Sequence, residues 1–290
     1  MGRLSIFRQC GLVTFYRHPA SSFISSFIHS RISPSSSRFY YTISGSDNSM
    51  SKDIDVAAMR KPYRGSQDIF DTKDLAALDP FDQFSAWFTE ACKVPSIKEA
   101  NAMSLATANK EGHPSVRMVL LKGYDKTGFK FFTNYGSRKA SELDSNPFAS
   151  LLFYWSSNEC DSTISRQVRI EGVAEKLSVE ESTEYFHSRP RSSQIGAIVS
   201  QQSSVVESRS VLDKRNEELM TQYEDESVHI PKPDHWGGYK VVPRVIEFWQ
   251  GQTNRLHDRL VFRRQRNGEI LDEKVSQVVN DGWILERLAP

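Results

Sequence analysis

Side chains suited to holding phosphate recur through the middle of the chain, each time beside apolar or aromatic residues. Arg117 and Lys122 flank the hydrophobic run Met118 to Leu121. Arg138 and Lys139 follow Phe131-Phe132-Thr133-Asn134, and Arg189 and Arg191 bracket Pro190 ahead of Ser192, Ser193 and Gln194. Guanidinium forks, ammonium groups and hydroxyls together make the best cradle for a phosphate dianion. The clusters therefore point to phosphate monoesters, and their number to more than one phosphorylated ligand. One such arginine alone would read as a solvated face or an ion pair; three clusters beside apolar strands do not. The densest mixture comes later, where Glu247-Phe248-Trp249-Gln250-Gly251-Gln252-Thr253-Asn254-Arg255-Leu256-His257-Asp258-Arg259 interleaves aromatic, amide and charged groups. If this stretch is extended, the two-residue period puts Arg255, His257 and Arg259 on one face. By spacing alone, His257 reads equally well as a structural histidine paired with Asp258 or a backbone carbonyl.

Other chemistries lack their defining turns. There is no GxGxxG, no GxxxxGK[ST], no GxSxG and no HExxH, and the three cysteines (Cys10, Cys92, Cys160) form no CxxC pair. A dinucleotide fold, a P-loop, a hydrolase elbow and a zinc site are set aside, and no metal is expected. With 37 basic against 36 acidic side chains over 290 residues, the chain carries +1, which gives no overall field to gather nucleic acid or an anionic membrane. No apolar run approaches the roughly 18 residues that span a bilayer. Neither nucleic acid nor membrane is expected as a partner.

The elements that must position these groups follow from periodicity. Asp79-Pro80 reads as an N-cap and first helical position, and Phe81, Phe84, Trp87, Phe88 and Ala91 form an apolar helical stripe. Strand-like runs follow at 102–107, 115–122, 129–133, 149–155 and 167–176, with turns at 123–128 and 144–147. In the last run Val168 and Ile170 alternate with Gln167, Arg169 and Glu171, as in a half-buried antiparallel strand. Helices are predicted at 178–187, where Ser178 and Glu181 form a capping box, and around 205–223. Strands return at 238–249, 260–264 and 283–288. Strands, a helical insert and more strands, without regular βαβ alternation, predict an α+β chain built on an antiparallel barrel. Arg117 and Lys122 have opposite parity on a regular strand, so serving one site requires a bulge or a strand end between them.

The first fifty residues differ. They hold five arginines, no lysine, thirteen serines and one acid, Asp47. This is the composition of a mitochondrial transit peptide, with a merely disordered tail as the alternative, and Arg38-Phe39-Tyr40 looks like a processing site. The remainder carries 32 basic and 35 acidic side chains. The expected organisation is a leader over 1–50, an N-terminal arm over 51–76 and the barrel over 77–290, with initiation at Met50 or Met59 as a route to a cytosolic form.

From Met59 to Pro290 the sequence resembles the pyridoxine (pyridoxamine) 5'-phosphate oxidases. The resemblance is carried by Arg117-Met118-Val119-Leu120-Leu121-Lys122-Gly123, Phe131-Phe132-Thr133-Asn134, Ser137-Arg138-Lys139, Asn146-Pro147-Phe148-Ala149 and Arg166-Gln167-Val168-Arg169. It continues in Tyr185-Phe186-His187-Ser188-Arg189-Pro190, Gln201-Gln202-Ser203, Trp249-Gln250-Gly251-Gln252, Arg255-Leu256-His257 and Glu286-Arg287-Leu288-Ala289-Pro290. It implies an FMN-binding split barrel, a homodimer with FMN in clefts made by both subunits. It also implies oxidation of pyridoxine or pyridoxamine 5'-phosphate to pyridoxal 5'-phosphate by O₂, releasing H₂O₂ and, from the amine, ammonia. The implied FMN positions are Arg117, Met118, Val119, Leu120, Phe132, Thr133, Arg138, Lys139, Gln167, Gln202, Ser203, Trp249 and Arg259. The implied substrate positions are Lys122, Tyr185, Arg189, Ser193, Arg255 and His257, with Arg60 and Tyr63 on the arm. Arg255 and His257 are the implied catalytic pair. Ser156 to Ser165 departs from the family as a longer hairpin, and the polar stretch 265–281 is assigned no chemistry. A non-catalytic flavin or pyridoxal-phosphate carrier on the same barrel is the alternative, since a fold does not dictate activity.

Overall fold

The computed structural model describes residues 69–159 and 162–290. Arg60, Tyr63, Cys160, the leader expected over 1–50 and most of the arm expected over 51–76 lie outside them. After a short 3-10 turn at Thr72–Asp74, the first α-helix is α1 (Pro80–Cys92). Asp79, in extended conformation, accepts hydrogen bonds from the amides of Phe81 (2.8 Å) and Asp82 (3.1 Å), and Pro80 takes the first turn. These are the donors that a helix start leaves without internal partners. The predicted stripe is the buried face: Phe84 packs edge-on to Phe153 (5.1 Å between ring centres) and Trp87 to Phe248 (5.3 Å). Burying such rings contributes roughly 1.5–3 kcal/mol each.

The strands are β1 (Ala102–Ala108), β2 (Pro114–Leu120), β3 (Gly123–Asp125), β4 (Gly128–Asn134), β5 (Phe148–Glu159), β6 (Ser162–Lys176), β7 (Trp236–Gln250), β8 (Asp258–Arg264), β9 (Ser276–Val278) and β10 (Trp283–Arg287). Together they form one ten-stranded antiparallel sheet in the order β2-β1-β5-β6-β7-β8-β10-β9, with β4 paired to both β3 and β7. One edge of β7 pairs with β6 over residues 239–250; the other pairs with β4 over residues 236–241 and with β8 over 245–250. Pro243, which has no N–H to donate, sits at this fork opposite a register shift at Glu171/Gly172. A Cβ on Gly172 would lie 2.1 Å from the Val242 carbonyl oxygen, so the bulge requires glycine there. Among the described residues no ladder joins β2 to β4, and the barrel is split rather than closed.

The strand period of two separates the faces. Leu105, Leu151, Phe153, Val168, Ile170, Ile246, Phe248, Leu260 and Phe262 point inward and are buried. On the outer face Val116 (68% exposed), Met118 (62%), Phe148 (59%) and Tyr154 (57%) form an apolar patch of the kind that marks a partner surface. Three helices fill the insert between β6 and β7: α3 (Val179–Ser188), α4 (Arg191–Val199) and α5 (Arg209–Gln222), while α2 (Arg138–Ser145) follows β4.

Several expectations need correction. Helix α5 begins at Arg209 rather than near Val205, and 201–208 is an exposed loop. Only one direction of the capping box is present: Ser178 Oγ accepts from the Glu181 amide at 3.1 Å. Residues 251–257 are not extended. They form a loop with Arg255 at φ +68°, so Arg255, His257 and Arg259 share no strand face. The Gly251 amide, donating to the Ser165 carbonyl at 2.9 Å, continues the β6–β7 register, and beyond it the loop closes on itself with Arg255 N–H donating to the Gln252 carbonyl at 3.1 Å.

Candidate functional site

Twelve of the residues singled out from the sequence line one cleft of about 690 Å³ at the edge of the sheet: Arg117, Met118, Val119, Leu120, Lys122, Phe132, Thr133, Lys139, Tyr185, Arg189, Ser193 and Gln202. The parity conflict between Arg117 and Lys122 is resolved by the strand end. After Leu120 the chain leaves the β1 ladder, and the Lys122 amide donates instead to the Lys130 carbonyl at 2.9 Å, which carries Lys122 round to the same cleft.

One end of the cleft is cationic. The Lys139 ammonium, on the first turn of α2, donates to Gln202 Oε1 (2.6 Å), Thr133 Oγ1 (3.1 Å) and Ser137 Oγ (3.3 Å). Burial, reinforced by the Arg117 charge, pushes its pKa down to about 8. Arg117 points inward at the barrel rim and donates to the Leu105 carbonyl (3.0 Å), Thr107 Oγ1 (2.5 Å) and Ser115 Oγ. Arg138 lies at the margin, its amide donating to Ser203 Oγ at 3.2 Å. Ser203 holds φ +76°, a strained conformation for a non-glycine residue and one that clusters at functional sites.

Glu142, to which the sequence reading gave no role, organises this end. One carboxylate oxygen accepts from Thr107 and Ser115 hydroxyls (2.5 Å each) and lies 3.4 Å from Arg117. The other accepts from Arg138 Nε at 2.8 Å. Burial would raise its pKa, but the hydrogen bonds from Ser115, Thr107 and Arg138 outweigh that and hold it at about 2. The i,i+4 spacing from Arg138 was its only signal in the sequence. A carboxylate whose pKa is depressed on folding stabilises the fold above its unfolded value, near 4.5, and loses that contribution as pH falls toward 2. Glu142→Gln is therefore expected to melt roughly 3–10 °C lower at pH 7, consistent with about 1–3 kcal/mol, with the gap closing toward pH 3. Thermal melts at the two pH values check this.

The opposite end is built by the helical insert. Tyr185 on α3 stacks on Phe132 at 3.9 Å, and Trp236 extends the stack at 5.5 Å from Phe132. Gly238 keeps β7 close to this stack, since a Cβ there would lie 2.8 Å from the Phe132 ring. Arg189 caps α3, lies over Trp236 at 4.7 Å and donates Nη2 to the Ser193 carbonyl at 2.8 Å. Its Nη1 is buried without a partner, and burial lowers its pKa. A guanidinium N–H left in that state at a cleft wall is suited to an anionic ligand. Helix α4, which starts just after Pro190 and carries Ser193, and Trp236 in the cleft wall were both absent from the sequence reading.

The remaining predicted residues do not line this cleft. Gln167, Trp249 and Arg259 sit side by side in register across β6, β7 and β8, and alternation puts them on the outer face. Arg259 is clamped by Glu247 (Nε to Oε1 2.8 Å) and donates to the Ala289 carbonyl (2.8 Å). His257 lies 4.8 Å from the Trp249 ring and lines a second cleft of about 500 Å³ with Arg287 and the C-terminal residues. Its Nδ1 accepts from the Gln252 amide at 3.0 Å, which places the proton of the neutral ring on Nε2. Burial, then the Arg255 charge, holds its pKa below the usual histidine value, against an opposing pull from Asp258. A larger hollow of about 830 Å³ on the outer face contains none of the predicted residues. Its Arg263 is neutralised by Glu269 and Glu286.

The donor set suits a flavin mononucleotide. An ammonium, a guanidinium, a hydroxyl and an amide meet at one end of the first cleft, and Met118, Val119, Leu120 and Phe132 provide apolar and aromatic wall beside them. Comparison with known proteins agrees with this chemistry. Residues 88–223 match the family described as "Pyridoxamine 5'-phosphate oxidase", and residues 236–290 the "Pyridoxine 5'-phosphate oxidase C-terminal dimerisation region". The pyridoxine-5'-phosphate oxidase of Bos taurus is 55% identical over 238 residues, 82% of this chain and 88% of that protein. The pyridoxine/pyridoxamine 5'-phosphate oxidase of Bombyx mori is 50% identical over 237 residues, 82% of this chain and 90% of that one. Among solved structures, PhzG from Burkholderia lata superposes with TM-score 0.64 at 27% identity, covering 77% of this chain and 98% of PhzG. On the match of both regions and on this identity over most of its length, the chain belongs to the pyridoxamine 5'-phosphate oxidase family.

Proposed function

We propose that this chain is an FMN-dependent oxidase converting pyridoxine and pyridoxamine 5'-phosphates to pyridoxal 5'-phosphate with O₂ as electron acceptor. The observation that carries the reading is the meeting of two phosphate-holding ends in one cleft, Lys139 with Arg117 and Arg189 with Ser193, joined by an apolar and aromatic wall. Bound FMN supplies the hydride acceptor; the protein supplies binding, orientation and electrostatics. Lys139, Arg117, Thr133 and Gln202 hold the cofactor phosphate, and Arg138 and Ser203 close its margin. Lys122, Tyr185, Arg189 and Ser193 hold the substrate phosphate, so that its binding energy becomes orientation of the reacting carbon.

The chain assembles as a homodimer through the region containing β7, β8 and β10. The outward row Gln167, Trp249 and Arg259, with the loop bearing Arg255 and His257, completes the cleft of the partner subunit across the apolar outer face. Arg255 orients the substrate ring and meets its developing charge. His257, neutral with its proton on Nε2, donates a hydrogen bond toward the ring. Arg60 and Tyr63, outside the described residues, are further substrate-binding positions in this reading.

Lys139 sets an alkaline limit on cofactor binding. A phosphate beside it favours the charged form, so FMN binding takes up a proton wherever the free site has lost one. Affinity is thus level between the phosphate's second pKa near 6 and about pH 8, then weakens by up to about tenfold per pH unit. Flavin fluorescence titration from pH 6 to 10 reads this directly. Lys139→Met is expected to bind weakly with no alkaline limb, whereas a flat wild-type curve to pH 9.5 would remove Lys139 from the phosphate site.

Residues 1–50 direct the chain to mitochondria. Fused to a fluorescent reporter they are expected to give mitochondrial signal, with protein begun at Met50 cytosolic and active; a cytosolic fusion contradicts the import reading and leaves the enzyme reading intact.

A further inference from the structure

The loop carrying Arg255 and His257 is held by a buried carboxylate, Asp258. Asp258 is 5% exposed and accepts three hydrogen bonds from separate parts of the chain. Gln252 Nε2 donates to its Oδ2 at 2.7 Å, the Phe70 backbone amide to the same oxygen at 2.9 Å, and Arg287 Nη1 to Oδ1 at 3.1 Å. Gln252 in turn is bonded at two further points: its backbone N–H meets His257 Nδ1 at 3.0 Å, and its carbonyl accepts from the Arg255 amide at 3.1 Å. Gln252 therefore ties the start of the loop to its end, selects the His257 tautomer and braces the left-handed Arg255 backbone. Asp258 anchors Gln252. Arg287 also donates to the Phe70 carbonyl at 2.8 Å and to Asp71 at 2.9 Å, which binds the first described residues into the same network.

We infer that Asp258, acting through Gln252, is a positioning residue that fixes the geometry of Arg255 and His257 and couples that loop to the chain entering at Phe70. The inference rests on the reading that Arg255 and His257 act on the substrate. Buried carboxylates are costly unless fully bonded, and a site residue is only as precise as the groups that lock it. Asp258 touches neither cofactor nor substrate in this account, so its removal alters turnover rather than cofactor binding.

The test compares holoenzyme of Asp258→Ala, Asp258→Asn, Gln252→Ala and Arg255→Ala by kcat, KM, FMN per chain and melting temperature. Asp258→Ala and Gln252→Ala are expected to lower kcat about tenfold or more, with KM within about threefold and FMN at the wild-type level. Asp258→Asn, whose amide oxygen still accepts from Gln252 and Phe70, is expected to stay within about threefold of wild-type kcat. Gln252→Ala leaves the Asp258 bonds to Phe70 and Arg287 in place, so it reads the loop even if Asp258→Ala unfolds. Wild-type kcat in Gln252→Ala, or equal losses in Asp258→Asn and Asp258→Ala, overturns the inference. Wild-type kcat in Arg255→Ala overturns instead the reading on which it rests.

Discussion

Arg189→Ala is expected to raise the KM for pyridoxine 5'-phosphate by about one to two orders of magnitude while kcat stays near wild type and FMN is retained. The lost group is a buried guanidinium with one N–H paired to Ser193 and another buried and unpartnered. Charged hydrogen bonds of this kind contribute about 1.5–3 kcal/mol. A phosphate far from the reacting carbon is held equally in ground and transition states, so the loss falls on KM. Arg189→Lys keeps the charge but not the planar fork over Trp236 at 4.7 Å, and is expected to recover only part of the affinity. Steady-state kinetics with cofactor content on the same samples decide it; a fall in kcat at unchanged KM would place Arg189 elsewhere in the reaction.

Arg255→Ala has a different expected signature. A cation set to orient the ring and meet charge that develops in hydride transfer stabilises the transition state more than the ground state, so kcat is expected to fall by about tenfold to a hundredfold. The backbone offers a control. At φ +68° Arg255 occupies a conformation that glycine adopts without strain. Arg255→Gly therefore preserves or relaxes the loop while removing the guanidinium. Equal losses in both variants assign the effect to the side chain; a wild-type rate in Arg255→Gly would show that only the loop shape matters. Single-turnover flavin reduction at saturating substrate separates this step from product release.

The cations of the cleft were legible because cations beside apolar runs are unusual on a solvated surface, and Arg117, Lys139 and Arg189 do meet in one cleft. The strand ladder was legible where alternation was strong, as at Val168 and Ile170, both fully buried in β6. Helices α2 and α4 were not: Arg138–Ser145 is short and its buried face has only Ala140 and Leu143 as apolar residues, and Arg191–Val199 is too short for periodicity to speak. The loop 251–257 falls between the predicted strands 238–249 and 260–264, and its conformation was left conditional. Its true shape depends on Gln252, whose bonds to His257 and Asp258 are tertiary facts. Glu142 was passed over for the same reason, since three of its four partners, Thr107, Ser115 and Arg117, come from strands β1 and β2 rather than from its own helix. On the proposed pairing of two chains, the division of site residues between the cleft and the outer face of one protomer has no signature in a single sequence.

Anaerobic mixing reads whether this chain oxidises a B6 phosphate ester through bound flavin. Purified holoenzyme is yellow, and pyridoxine 5'-phosphate added without O₂ is expected to bleach it, with one flavin reduced per chain, pyridoxal 5'-phosphate formed in equal amount, and colour restored on admitting O₂. Tight binding of pyridoxine 5'-phosphate with the flavin remaining oxidised would contradict the account and favour a carrier.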